Sequence, residues 1–157
     1  MKTPFYVGTV VRAYREAIDD FYADPQLYES KKEKYMEELC KTSHREFTTG
    51  FYFGRPEDGQ FYESNTYIRT YDFVGMVMDY DEETQIAVVE QRNKFKVGDV
   101  VEVMNYEDRG DFSQTIKLML NEEGESVDEA PHPQQILRIK MDKPVQKYCM
   151  LRKKADD

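Results

Sequence analysis

The sequence predicts an α+β protein: an N-terminal helical hairpin packed on a small six-stranded, mainly antiparallel β-barrel. Three observations carry this. Apolar residues recur at helical spacing up to about residue 43. From residue 66 onward the apolar pattern shortens to β-type runs broken by turn residues. The 32 residues Phe73–Met104 hold three such runs, separated by the polar turn DEET and the knob KFKVGD, a spacing that suits a small closed barrel and not a nucleotide-binding α/β fold.

The chain has 157 residues, enough for one domain with at most a small appendage. A chain of this size buries enough surface to fold without a disulfide or metal. Aromatic residues make up 13%, which argues against disorder despite a charged fraction of 34%. The net charge of −9 works against general nucleic-acid affinity, which rests on Lys and Arg neutralising phosphates, but leaves room for a local basic face. The two cysteines, Cys40 and Cys149, cannot build a secreted disulfide framework. The N-terminus lacks a signal-like or membrane-spanning apolar run, so a cytoplasmic protein with no membrane partner is expected.

Thr3-Pro4 reads as an N-cap followed by proline at the first helical position. Val7, Val10, Val11, Tyr14, Ile18 and Phe21 then form an apolar stripe, and Asp24-Pro25 stops the helix. Ser30-Lys31-Lys32-Glu33 has the capping-box pattern ahead of a second stripe, Tyr35, Met36, Leu39 and Cys40. Two helices this small cannot bury their stripes alone, so they must pack on the barrel or on a preceding domain. Residues 1–46 are therefore expected to form a helical hairpin that links to a catalytic domain outside the chain. Residues 47–65 read as an aromatic and glycine-rich connector, residues 66–152 as the barrel, and residues 153–157 as a disordered tail.

Nine aromatics lie between residues 47 and 73, among turn-forming Gly50, Gly54, Pro56 and Gly59. A buried joint between helices and barrel is the expectation, and an exposed stacking surface the alternative. Barrel strands are expected near 66–79, 85–91, 99–104, 113–120, 135–141 and 147–152. Phe73–Met78 is apolar on both faces and so should be covered on both. Asn121–Gly124 and Asp142–Pro144 mark turns.

Phe95-Lys96-Val97-Gly98-Asp99, followed by Val101 and Val103, resembles the turn-and-strand signature of the second domain of elongation factor Tu and related translation GTPases. That resemblance implies inward-pointing Phe95 and Val97, and a chain reversal at Gly98-Asp99. Almost the whole chain also resembles the C-terminal domain of peptidase family U32, the collagenase-like peptidases. The matching pieces are TVVRAYREAIDDFY at 9–22, SHREFTTGFYFG at 43–54, the run 67–103, EEGESVDEAPHPQQ at 122–135 and MDKPVQKYCMLR at 141–152. The segment MNYEDRGDFSQ at 104–114 departs from the pattern, carrying charge where a shorter, glycine-rich link would be expected. The resemblance implies a catalytic α/β barrel ahead of this segment. Some family members are described as collagenase-like proteases. Others take part in prephenate-dependent hydroxylation of a tRNA wobble uridine, and relatives bind an iron–sulfur cluster. Two cysteines cannot supply the four thiolates such a cluster usually takes.

Cys40, His44, His132 and Cys149 make the inventory of a structural zinc site, but without close CxxC spacing buried apolar thiols are the simpler reading, and no cofactor or metal is expected in this chain. A Cys–His nucleophile has no orienting third group in the pattern, and the acidic pairs read as solvated turns. A contact surface has more in its favour. Arg69 lies between Tyr67 and Tyr71 in alternation, and Arg92 and Lys94 follow the second strand, so a cation could meet phosphate while an aromatic stacks on an unpaired base. Pairing with Asp72, Glu90 or Asp99 is the competing role for these cations. The expected function is a non-catalytic C-terminal accessory domain of a U32-family protein that positions substrate, RNA or protein, for the preceding catalytic domain. The alternatives are an RNA-binding module of a tRNA hydroxylation protein, or a protein docking module working through Val7, Val11, Tyr14 and Ile18.

Overall fold

The structure is a computed structural model that describes residues 2–45, 47–55, 68–106 and 110–155. It divides into two units, residues 1–70 and 71–157. Phe61, Tyr62 and Tyr67 lie outside the described residues.

The first unit is a helical hairpin of α1 (Pro4–Ala23) and α2 (Pro25–Cys40). Thr3 caps α1, its hydroxyl accepting from the Tyr6 amide at 3.2 Å, with Pro4 in the first turn where no amide hydrogen is needed. Asp24 does two jobs. Its amide donates to Asp20 and closes α1, while its carboxylate accepts from the Gln26 amide at 2.9 Å and opens α2. The second helix thus starts at Pro25 and not at the expected capping box. Ser30 is already helical, and its hydroxyl back-bonds to the Leu27 carbonyl. Phe5, Thr9 and Ala13 are buried on the face of α1 that also carries Glu16 and Asp20. Those two carboxylates pair with Lys34 and Lys31 of α2, and Asp20 accepts from the Tyr35 hydroxyl at 2.7 Å. These hydrogen bonds, from Lys31 first and then Tyr35, hold the Asp20 carboxyl below its usual range. Burial, and then Asp20, push the Tyr35 phenol up.

After α2 the chain passes through two tight turns, with Tyr52 N–H donating to Thr49 and Gly54 N–H to Phe51. Gly50 and Gly54 supply the positive φ values, +53° and +112°. Consecutive rings in such turns cannot all point inward, and Phe51, Tyr52 and Phe53 are exposed. This overturns the expected buried joint for that part of the connector.

The second unit is a curled antiparallel sheet. Its strands are β1 (Tyr71–Asp81), β2 (Ile86–Gln91), β3 (Phe95–Lys96), β4 (Val100–Met104), β5 (Phe112–Thr115), β6 (Met119–Leu120), β7 (Glu129–Ala130), β8 (Ile136–Lys140) and β9 (Met150–Lys154). Seven of them form one sheet in the order β5-β4-β9-β1-β2-β8-β6, and β3 pairs with β7 as a separate two-stranded ribbon. The two edges of the large sheet, β5 and β6, belong to one stretch of chain, so the sheet curls until its edges nearly meet. The Gln114 side chain laces that seam, donating to the Lys140 carbonyl at 3.0 Å and accepting from the Asp142 amide at 2.9 Å.

Six strands were expected where nine form among the described residues. The segment 113–120 is two strands and not one, because it pairs with β4 at one end and β8 at the other and must turn a corner at Ile116 between them. The last strand runs to Lys154, so Lys153 and Lys154, expected in a tail, pair with Asp72 and Tyr71. The described core is filled by Val74, Val77, Val89, Val101, Leu137, Ile139 and their neighbours, all inaccessible to solvent. Phe95 closes one end from the β3–β7 ribbon, with Val97 packed beside it. Gly98 (φ +93°) and the Asp99 carboxylate, which accepts from the Lys96 amide, make the reversal expected there. The register shift in β1 opposite β9, between Phe73 and Gly75, accounts for the burial of the consecutive residues Val74 and Gly75.

Candidate binding surface

A barrel whose interior is packed with side chains offers its outside to a ligand. Residues 71–157 carry 12 Lys or Arg against 19 Asp or Glu, a net −7, so each cation's partner decides what that surface can hold. Arg92 lies 2.5 Å from Glu90, and Lys94 lies 2.8 Å from Glu129, whose carboxyl is held below its usual range chiefly by that lysine. Both remain partly solvent-exposed. Tyr71 starts β1, its hydroxyl donating to Glu102 at 2.9 Å and its ring lying under the Arg152 guanidinium. Arg152 is 2% exposed and donates to Glu102 through Nε and Nη2, both at 2.8 Å. Arg69 belongs to the first unit and is exposed. The structure thus sets Arg92 and Lys94 on one segment after β2, joins Tyr71 to a buried ion pair, and places Arg69 in the other unit.

The opposite end of the barrel carries a cluster that the residue pattern did not single out. Tyr148 is 58% exposed with φ +71°, a region that a bulky side chain rarely adopts. Its amide donates to the Val77 carbonyl at 2.7 Å, and the Val77 amide returns to Cys149 at 2.9 Å. Beneath it the buried Cys149 thiol donates to Asn105 Oδ1 at 2.9 Å. Tyr106, 42% exposed, bonds through its hydroxyl to the Lys147 carbonyl at 2.8 Å, so the two phenols flank Lys147. The ammonium groups of Lys147 and Lys143 lie over the Tyr148 and Phe112 rings, at 5.4 and 5.6 Å. The arrangement is an aromatic ledge with two cations lying over its rings. Tyr106 sits in the charged 104–114 segment that departs from the family pattern, which was the available signal. The strained φ of Tyr148 had none.

Of the zinc candidates, Cys40 ends α2 and His44 stacks on Phe47, while Cys149 is committed to Asn105. Among the described residues no group of three or more His, Cys, Asp or Glu is placed to hold a metal ion. No described helix is long and apolar enough to cross a membrane.

Residues 69–152 match the peptidase family U32 C-terminal domain, and residues 1–61 match peptidase family U32 itself. The chain is 42% identical over 98% of its length to tRNA hydroxylation protein P1 of Bacillus subtilis, and 35% identical over 82% to tRNA hydroxylation protein P of Haemophilus influenzae. It spans 36% and 27% of those relatives' lengths. Among solved structures, it is similar to the crystallised C-terminal domain of a Geobacillus thermoleovorans protein assigned to the U32 peptidases, at 43% identity and TM-score 0.50, over 52% of this chain and 99% of that one.

Proposed function

Because this chain belongs to peptidase family U32, with residues 69–152 forming that family's C-terminal domain, we propose that it is an accessory region that grips tRNA for a U32 catalytic domain. The ledge of Tyr148 and Tyr106 beside Lys147 and Lys143 carries the reading. An unpaired base stacks on an exposed phenol, and an ammonium group on the adjoining loop meets its phosphate. A filled barrel core supports gripping at the surface over reaction within. The names of the two relatives support tRNA as the substrate over a peptide. Arg92 and Lys94, paired with Glu90 and Glu129, are proposed as secondary contacts together with the exposed Arg69. Tyr71 would act from within the Arg152–Glu102 pair and not as a stacking surface.

Fluorescence anisotropy with labelled tRNA tests this. Tyr148→Ala should weaken binding roughly tenfold, the loss of about one stacked base. Reversing Lys143 and Lys147 to Glu should flatten the salt dependence by about two phosphate contacts. Reversing Arg92 and Lys94 should do less, and unchanged affinity at low salt would remove them from the surface. Binding to a gelatin-derived peptide, with none to tRNA, would overturn the reading.

A further inference from the structure

The first unit exposes apolar side chains in an ordered way. Val7, Val11, Tyr14, Ile18 and Phe21 of α1 are each between 46% and 59% exposed, and they follow one another at steps of four, three, four and three residues. That is the spacing of a helix-packing seam. At about 100° per residue, the stripe lies roughly 150° around α1 from the row Phe5, Thr9 and Ala13 that faces α2. One flank between these faces holds Arg12, Arg15 and Asp19, and the other holds the half-buried Val10 and Ala17. A helix with apolar rows on two opposed sides belongs between two layers, and the hairpin supplies only one.

We infer that the second layer is the remainder of the U32 domain, so that the hairpin is an integral part of that domain and not a spacer between domains. Three facts name this occupant over a second copy of the chain. The U32 match covers residues 1–61 and breaks before the C-terminal domain match begins at residue 69. The chain spans 36% of the Bacillus subtilis relative, so most of that protein lies outside the match. Exposure of large apolar residues is concentrated in the segment that the U32 match covers. It includes Tyr22, Met36 and the turn residues Phe51, Tyr52 and Phe53, whereas the described part of the second unit exposes Val100, Tyr106, Leu118 and Tyr148. The occupant is therefore an apolar face, helical at the seam, with a rim that tolerates the Arg15–Asp19 pair.

Coexpression tests this. The 157-residue chain is produced together with a tagged polypeptide comprising the part of the Bacillus subtilis relative outside the match. The expected result is a stoichiometric complex on size exclusion, reduced at least a hundredfold in affinity by Val11→Asp with Ile18→Asp. Both positions face solvent, so helicity by circular dichroism should be unchanged, separating lost docking from lost folding. Arg12→Ala, on the polar flank, should leave the complex intact. Absence of a complex, a complex indifferent to the two Asp substitutions, or a self-dimer of the chain that these substitutions dissolve would each overturn the inference. tRNA binding by the chain alone is a separate measurement, so this result and the preceding one fail independently.

Discussion

The hairpin and the barrel are stabilised in opposite ways. Among the described residues the barrel encloses a core of 17 buried apolar side chains, and strand pairing runs along its curled sheet from β5 to β6. The hairpin buries Phe5, Ala13 and Tyr35 and leans on ion pairs between α1 and α2, while an ordered apolar stripe faces water. The first is what a self-sufficient fold looks like. The second is half of an interface. The crystallised Geobacillus domain, nearly all of which aligns with about half of this chain, fits that division.

The contrast can be broken most forcefully in the barrel. Phe95→Ala should destabilise it by about 3–5 kcal/mol, since the ring closes the core and leaves a cavity that a stiff ribbon cannot fill. Urea unfolding followed by hydrogen exchange of the barrel amides would measure this, and a loss under about 1 kcal/mol would mean the core does not depend on its cap. Next is Glu102→Gln, at about 3 kcal/mol, because it removes the carboxylate charge that faces the Arg152 guanidinium in a 2%-exposed site. Restoration by a second change, Arg152→Met, would identify the uncompensated charge as the cause. Gly75→Ala should follow at about 1–3 kcal/mol, since an added Cβ would meet Val89 Cγ1 at 2.6 Å in the filled interior.

Two smaller effects sharpen the comparison. Tyr148→Gly should stabilise the barrel by up to about 1 kcal/mol, as glycine accepts φ +71° without strain, yet weaken tRNA binding. A residue kept for packing would do the reverse. The hairpin should respond to acid instead. The folded Asp20 carboxyl titrates below its unfolded value, so its contribution is present above about pH 4 and disappears as pH falls through the folded pKa. Helicity lost over that range in the wild type, but already reduced and less pH-dependent in Asp20→Asn, would confirm the sign.

Local chemistry was written in the residues themselves. Thr3-Pro4 opened a helix and Asp24-Pro25 closed it, because caps and proline act within one turn. β-patterned runs placed β2, β4 and β8 close to their bounds, whereas β1 starts at Tyr71 and not near residue 66, and the KFKVGD knob put Phe95 in the core. What lay beyond reach involved partners distant in the chain. Ser30 looked like a cap until Asp24 took the role. Tyr71 meets Glu102 and Arg152 across the sheet, and Lys153 looked like tail until Asp99 paired with it at 3.2 Å. Sequence alone determined the two architectures, since periodicity is a local property. Tertiary structure decided which apolar stripe stayed wet, which cations met acids, and that Tyr148 stands out on a strained bond, because each depends on what long-range pairing brings alongside.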